Sequence, residues 1–377
     1  MRAHATSMRA HSARRRKAPA HRENTHTHDA TTTSPVNRAT DAAQPAPLSN
    51  HAPRPFRPAW WLPGRHAQTI GGRLFRLGRS FPLRRERIET PDGDFLDLDF
   101  APAPREGAPQ VLLLHGLEGS ARRGYALITY AELAAAGIQG IGLNFRSCGG
   151  EPNRAARLYH SGETGDIRFV LDHLAERFPG VARGAIGFSL GGNVLLKLLG
   201  EEGEAARRWL ETAVAVSVPY DLAAGADHLE RSPMGRFYRR RFVRSLQAKL
   251  VAKRALLDGK VDIERALRAR TFREFDDAAT APLHGFADAA EYYRLSSSAR
   301  YLEAIRIPTL LLHAEDDPFL PPHALPRETI ARNPHLVPVI TPRGGHVGFI
   351  GGPPWAPRFW AEAEAVRFLA ARLARGA

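Results

Sequence analysis

A serine between glycines has the spacing of a nucleophile turn. The segment Gly187-Phe188-Ser189-Leu190-Gly191 reads G-x-S-x-G, with an apolar segment on either side. In that context the pattern is typical of a sharp turn from a strand into a helix, which leaves the serine hydroxyl exposed. The N-terminus of the following helix also favours negative charge that develops nearby. A plain glycine turn is the alternative, and the flanking strand and helix patterns favour a nucleophilic Ser189.

A serine hydroxyl needs a base, and a histidine follows the last predicted strand. His346 comes directly after Gly344 and Gly345, which predicts a loop that lets the imidazole reach back over the sheet edge. An acid that orients this imidazole should follow the preceding strand. Asp316 and Asp317 both occupy that position, and their spacing alone leaves the choice between them open.

Backbone N–H groups are needed to stabilise the oxyanion of a tetrahedral intermediate. We expect one donor at Leu190, directly after the nucleophile. The second donor should come from the loop His115-Gly116-Leu117, where glycine permits close approach and the amide of Leu117 is suitably placed. We interpret His115 as a structural loop residue rather than as a second base.

Strand and helix patterns alternate along most of the chain and predict an α/β fold with a mostly parallel central sheet and helices on both faces. Short apolar runs indicate buried strands, and apolar residues at helical spacing indicate amphipathic helices. The expected strands are 84–90, 94–100, 110–114, 138–143, 182–188, 213–218, 309–313 and 335–341. The expected helices are 124–136, 162–178, 190–199 and 358–373.

The alternation stops over about residues 219–301, which have a helical composition. We predict a helical cap insert over the carboxyl edge of the sheet, where ligands bind in open α/β sheets. A cationic run with interleaved aromatic residues occupies part of this insert. It includes Arg239, Arg240, Arg241, Arg244 and Lys249. Two interpretations remain open: a solvated helix face, or a lid that contacts anionic lipid.

The net charge of +14 is concentrated in two segments. Residues 1–58 carry ten Lys/Arg and three Asp/Glu, residues 231–273 carry fourteen and three, and the rest of the chain has a net charge of −4. A nearly neutral scaffold argues against a nucleic-acid-binding fold, so no nucleic-acid partner is expected. Residues 1–58 lack a hydrophobic period and are predicted to be a disordered basic tail ahead of a domain over 59–377.

The remaining composition predicts a cytoplasmic protein without disulfides. Cys148 is the only cysteine, and no apolar run approaches the length of a membrane helix. His160, Glu163 and Asp166 could suggest a metal site. We interpret them instead as hydrogen-bonding groups near the pocket, and we expect neither a metal nor another cofactor.

Several motifs together resemble the YheT-like branch of the α/β hydrolases, the AB hydrolase 4 family, over roughly residues 56–370. The motifs are His66-Ala67-Gln68-Thr69, Asp92-Gly93-Asp94, His115-Gly116-Leu117-Glu118-Gly119-Ser120, Asn144-Phe145-Arg146-Ser147-Cys148-Gly149-Gly150, Tyr159-His160-Ser161-Gly162-Glu163-Thr164, the Ser189 turn, Arg273-Glu274-Phe275-Asp276-Asp277, Asp316-Asp317-Pro318-Phe319 and Gly344-Gly345-His346-Val347-Gly348-Phe349. The resemblance implies the α/β-hydrolase fold and a catalytic triad of Ser189, Asp316 and His346. Generic hydrolase spacing would instead favour Asp317.

The resemblance also implies carboxylesterase, lipase-like or phospholipase activity on acyl esters. We therefore predict a serine hydrolase that cleaves carboxylic esters, some of them lipid-like, through an acyl-enzyme. Its expected partners are a small acyl-ester substrate and, transiently, an anionic lipid surface. Acyl transfer at the same site and a non-catalytic binding scaffold are the alternatives.

Overall fold

A mixed eight-stranded sheet forms the centre of the domain. In the computed structural model, which describes residues 51–374, the strand order is β1-β2-β4-β3-β5-β6-β7-β8. The strands are β1 (Arg84–Glu89), β2 (Phe95–Phe100), β3 (Gln110–Leu114), β4 (Gln139–Asn144), β5 (Arg183–Phe188), β6 (Thr212–Val216), β7 (Thr309–Ala314) and β8 (Leu336–Thr341). β2 pairs antiparallel with β1 and β4, and all the other pairs are parallel. A short two-stranded sheet, β9 (Ile350–Gly351) with β10 (Arg358–Phe359), lies apart from it.

Helices follow most of the strands. They are α1 (Gly64–Leu74), α2 (Gly124–Ala135), α3 (Gly165–Arg177), α4 (Leu190–Glu202), α5 (Leu222–Glu230), α6 (Pro233–Ala252), α7 (Arg254–Leu257), α8 (Ile263–Arg268), α9 (Phe272–Phe275), α10 (Ala281–Leu283), α11 (Ala289–Ser296), α12 (Arg327–Arg332) and α13 (Trp360–Leu373). Within residues 51–374, none of these helices is long and apolar enough to cross a bilayer.

Buried strands separate two apolar cores. Along β3, Leu112 and Leu114 pack into the core beneath α3 and α4, whereas Val111 and Leu113 pack into the core beneath α2 and α13. Successive side chains of a strand point to opposite faces, so a continuous apolar run is required where both faces are covered. The predicted α/β fold with helices on both faces is therefore confirmed.

Helices α5–α11 lie between β6 and β7 and form the segment that we call the cap, residues 222–304. The cap insert expected from the sequence spans about residues 219–301 and overlaps this segment. It has a small core of its own, which includes Leu250, Leu257 and Phe275. A π-helical turn over Asp276–Thr280 interrupts its helical pattern.

The expected domain boundary at residue 58 is wrong for residues 51–58. The ring of His51 is hydrogen-bonded to the Glu364 carboxylate of α13 at 2.8 Å. Phe56 packs against Phe349 and Trp360, with ring centroids 5.7 and 5.2 Å apart. The composition of this segment did not predict these contacts, because His51 and Phe56 are surrounded in sequence by polar residues and prolines. Residues 1–50 of the predicted tail lie outside the described residues.

Candidate active site

Ser189 lies at the sharp turn that its glycines predict. It follows β5, precedes α4, and has φ 52° and ψ −118°, a conformation that non-glycine residues rarely adopt. A Cβ on Gly187 would lie 2.5 Å from the Gly191 carbonyl oxygen, and one on Gly191 would lie 2.5 Å from the Leu114 carbonyl oxygen. Both glycines are therefore needed for the turn to pack.

A hydrogen-bonded chain runs from the serine through His346 to a buried carboxylate. His346 Nε2 lies 2.9 Å from Ser189 Oγ, and His346 Nδ1 lies 2.8 Å from Asp317 Oδ2. The Asp317 side chain is 1% exposed and that of His346 is 10% exposed. Burial alone raises the pKa of Asp317, but His346 and neighbouring donors outweigh it, so that the pKa is lowered and the carboxylate stays ionised.

The expectation of Asp316 as the orienting acid is wrong. Its Oδ1 accepts a hydrogen bond from the Gly345 amide at 2.8 Å, whereas Asp317 contacts the imidazole. The two residues follow the same strand, and the chain direction after β7 points only the second side chain at the ring. Asp316 instead fixes the loop that carries His346.

Helix α1 holds this loop from the other side. The His346 amide donates to Thr69 Oγ1 at 2.9 Å, and the Ile350 amide donates to Gln68 Oε1 at 2.8 Å. Arg76, just beyond the helix, donates to the Val347 and Gly348 carbonyls at 2.9 and 3.0 Å. The motif at residues 66–69 was the only sequence signal for this support, since α1 itself was not predicted.

The loop after β3 lies beside the nucleophile. A Cβ on Gly116 would lie 3.2 Å from Ser189 Cβ, so glycine is required for this approach. Tyrosine hydroxyls accept from the amides on either side of Leu117: Tyr125 from Gly116 at 3.0 Å and Tyr159 from Glu118 at 2.8 Å. Leu117 and Leu190 both line the cavity that contains Ser189. As the first residue of α4, Leu190 has an amide with no acceptor inside its helix.

His115 is buried in the same loop. Its Nδ1 donates to the Gly116 carbonyl at 2.8 Å, and its Nε2 accepts from the Phe145 amide at 3.2 Å. Burial lowers the pKa of His115 to about 3, so the ring is neutral. Both ring nitrogens are occupied by the backbone, which agrees with a structural role.

Cap residues cover the cavity over Ser189. Phe242 and Leu246 of α6 line one side. Phe319, which lies outside the cap and after β7, stacks on the His346 ring with centroids 4.1 Å apart. The cap therefore supplies an apolar wall next to the Ser189 hydroxyl.

A cluster of two histidines and a glutamate adjoins the cavity, which His160 lines. Potential ligand atoms of His160, Glu163 and His284 lie within 4.8 Å of one another. The Arg157 guanidinium is already hydrogen-bonded to Glu163, so a cation would have to displace it. Asp166, grouped with His160 from the sequence, instead binds Arg146 at 2.7 Å.

The family model described as the alpha/beta hydrolase fold matches residues 109–353. The chain belongs to this family. Its resemblance to YheT-like members is confirmed, because it is 41% identical to YheT of Escherichia coli (strain K12) over 79% of this chain and 88% of that protein.

Two further relatives carry names that refer to lipids. The chain is 30% identical to mouse phospholipase ABHD3 over 81% of this chain and 76% of that protein. It is 34% identical to the monoacylglycerol lipase of Saccharomyces cerevisiae over 71% of this chain and 59% of the yeast protein. The relatives of this chain thus include proteins named as a phospholipase and as a lipase.

Proposed function

We propose that the protein is a serine hydrolase that cleaves carboxylic esters through an acyl-enzyme. The observation that carries the proposal is the continuous hydrogen-bonded chain from Ser189 through His346 to the buried Asp317. A neutral imidazole that accepts from a hydroxyl and donates to an ionised carboxylate is the arrangement that activates serine in unrelated hydrolases.

In the proposed reaction, Ser189 Oγ attacks the ester carbonyl while its proton passes to His346 Nε2. Asp317 stabilises the resulting imidazolium, and the amides of Leu117 and Leu190 stabilise the oxyanion. The intermediate collapses, and the leaving alcohol takes the proton from Nε2. Water, deprotonated by the same imidazole, then releases the acid and restores Ser189.

Labelling with a fluorophosphonate probe tests this proposal. Wild type should react and should hydrolyse p-nitrophenyl butyrate, whereas Ser189→Ala should do neither. Ser80→Ala, at an exposed serine outside the cavity, is the matched control and should behave as wild type. Hydrolysis at the wild-type rate by a folded Ser189→Ala protein would refute the assignment.

We further propose that the cap contacts anionic lipid through α6. Arg240, Arg241 and Arg244 are exposed along one face of this helix, and Phe237 and Val251 extend the face with apolar side chains. Residues on the inner face line the cavity. Within residues 51–374, the three arginines form no ion pair, whereas Arg239 on the same helix pairs with Glu230.

The neighbouring helix α1 extends this positive surface. Burial and then the charges of Arg241 and Arg123 lower the pKa of Arg73, which places Arg73 close to the α6 arginines. Leu74 and Phe75, at the end of α1, are exposed large apolar side chains. A mixed arginine and apolar surface beside a cavity mouth suits a negatively charged bilayer.

Sedimentation with vesicles tests the contact. Reversal of all three charges in R240E/R241E/R244E should weaken binding to phosphatidylglycerol vesicles by roughly 100-fold, since each basic residue contributes about 1 kcal/mol at such a surface. R265E/R268E/R270E, at exposed arginines elsewhere in the cap, is the control. Equal wild-type binding to anionic and neutral vesicles at moderate salt would exclude the contact.

A further inference from the structure

A serine that the proposed mechanism does not use lies beside the nucleophile turn. Ser217 follows the last residue of β6, is fully buried and has a positive φ of 52°. The Ser189 amide donates to the carbonyl of Val216, the preceding residue, at 2.8 Å. The Ser217 amide donates to the Leu312 carbonyl of β7, also at 2.8 Å. The backbone around Ser217 is therefore fixed between the nucleophile turn and the neighbouring strand.

The hydroxyl of Ser217 reaches the loop that carries the base. Its Oγ accepts from the Val347 amide at 3.0 Å, and Val347 directly follows His346. One residue after the end of β6 thus joins the backbone near the nucleophile to the backbone near the base. This contact is made although a positive φ is unfavourable for serine, and such strain persists only where the surrounding structure determines it.

Val347 is itself strained and would change conformation without this contact. Its φ is 53°, which is a genuine outlier for a β-branched residue. Relaxation to a negative φ would rotate the peptide that joins His346 to Val347 and would move the imidazole away from Ser189. The Ser217 hydroxyl opposes this rotation, because it binds the N–H group of that peptide.

The preceding amide of the loop is held in the same way from α1. The His346 amide donates to Thr69 Oγ1 at 2.9 Å, and Thr69 Oγ1 donates its only proton to the Arg65 carbonyl at 2.7 Å. Because that proton is committed, the hydroxyl faces the loop as an acceptor. A Cβ on Gly345 would lie 2.7 Å from Thr69 Oγ1, so the loop approaches α1 too closely for a side chain at that position. Two hydroxyls from different elements therefore hold the amides on either side of the His346 α-carbon.

We propose that Ser217 and Thr69 are positioning residues, whose hydroxyls keep the His346 imidazole within hydrogen-bonding distance of Ser189 Oγ. This inference rests on the proposed function and deepens it. Both residues act through His346, since neither is among the residues that line the cavity around Ser189. A misplacement of about 1 Å in a catalytic group can lower a rate by about 100-fold, so a base on a loop is sensitive to such contacts.

Two substitutions at Ser217 separate positioning from backbone strain. Ser217→Ala and Ser217→Gly both remove the hydroxyl, but only glycine adopts the positive φ without cost. Both should lower kcat for p-nitrophenyl butyrate about ten-fold with KM within about two-fold of wild type, because a displaced base weakens the transition state rather than binding. The glycine variant should nevertheless unfold at a higher temperature than the alanine variant. Hydrolysis by Ser217→Gly at the wild-type rate would overturn the proposal.

The second hydroxyl is tested by a pair of variants on α1. Thr69→Val removes the acceptor and keeps the branched shape of the side chain, whereas Thr69→Ser keeps the hydroxyl. Thr69→Val should lower kcat about ten-fold with little change in KM, and Thr69→Ser should stay within about two-fold of wild type. Equal losses in the two variants, or no loss in Thr69→Val, would overturn the proposal.

Thr129→Val is the matched control for this pair. Thr129 lies on α2, and its hydroxyl makes the same bond to the carbonyl four residues before it, that of Tyr125, at 2.8 Å. Loss of a hydroxyl with this local bond should leave kcat at the wild-type value. A loss equal to that of Thr69→Val would show that the effect comes from the helix and would contradict positioning.

The rate of fluorophosphonate labelling gives a second measurement, because labelling needs an activated Ser189 but no release of an acid. It should fall in parallel with kcat in both Ser217 variants and in Thr69→Val, and labelling at the wild-type rate in all three would overturn the proposal. Thermal unfolding shows which variants are folded. If those at the buried Ser217 are not, the pair at the partly exposed Thr69 decides. Failure of the proposed function is distinguishable, because wild type would then neither cleave p-nitrophenyl butyrate nor react with the fluorophosphonate.

Discussion

Adjacent aspartates at the end of β7 have different partners. Asp317 accepts from the imidazole of His346, and Asp316 accepts from the backbone amide of Gly345. The first contact can fix the tautomer and stabilise an imidazolium, while the second only shapes the loop. Their effects on catalysis should therefore differ greatly.

Asp317→Asn should lower kcat by about 10⁴-fold, because an amide in this position favours the wrong imidazole tautomer. Asp316→Asn keeps an oxygen that can accept from Gly345 and should lower kcat less than ten-fold. Steady-state hydrolysis of p-nitrophenyl butyrate measures both. Comparable losses in the two variants would contradict the geometry, provided that thermal unfolding shows both to be folded.

The sequence could predict which serine and which histidine the structure brings together, but not which aspartate contacts that histidine. Ser189 is identified by glycines that its turn requires sterically, and His346 by its position after the last strand of the large sheet. Both aspartates satisfy the same spacing, and only the backbone direction after β7 separates them. Phe319 belongs to the motif at residues 316–319, but that motif did not predict that its ring stacks on His346.

Cap helix α6 contacts the loop that carries Leu117, the proposed oxyanion donor. Glu118, which follows Leu117, has a positive φ of 54°. Its carboxylate accepts from Ser245 and pairs with Lys249 at 2.8 Å, and these two residues are one helical turn apart. The position of the cap is thereby coupled to the Leu117 amide.

The double variant S245A/K249M removes both contacts to the Glu118 carboxylate. It should lower kcat about ten-fold with little change in KM, because the oxyanion is stabilised only in the transition state. Affinity for a trifluoromethyl ketone inhibitor, whose hydroxyl becomes an oxyanion, should fall in parallel. Lys260→Met, at an exposed cap lysine, is the control. Unchanged inhibitor affinity in a folded double variant would exclude the coupling.

Regular elements were the predictable part of the architecture. Strands with both faces covered and helices with an apolar face give periodic signals, as β3 and α3 do. Helix α1 is rich in glycine and lacks an acidic first turn and a side-chain N-cap, so the usual signals of a helix start did not mark it. The π-helical turn at Asp276–Thr280 depends on tertiary contacts and leaves no periodic trace.

Buried carboxylates that pair with arginines stabilise the domain at the antiparallel edge of the sheet. Asp99 of β2 accepts from Arg85 at 2.8 Å, from Arg122 at 2.7 Å and from Asn144 at 2.9 Å. Asp94 is likewise bound by Arg146 at 2.6 Å. These contacts join β1, β2 and β4 to the loops that follow β3 and β4.

Acid should therefore destabilise the domain over a defined range of pH. Burial alone would raise the pKa of Asp99, but its donors outweigh burial and lower it to about 2. Because this value lies below the ordinary 3.8, the unfolded chain binds the proton first as the pH falls. The contribution of the ionised Asp99 to the free energy of unfolding is present above pH 3.8 and is lost as the pH falls toward 2. For Asp99 it amounts to about 2 kcal/mol.

Urea unfolding of wild type at pH 5 and pH 2.5 should show this loss of stability. Asp99→Asn should be less stable than wild type at both pH values but should lose less stability between them. Asp258→Asn, at an exposed cap aspartate, should follow wild type. An equal loss in Asp99→Asn and wild type would show that the acid sensitivity arises elsewhere.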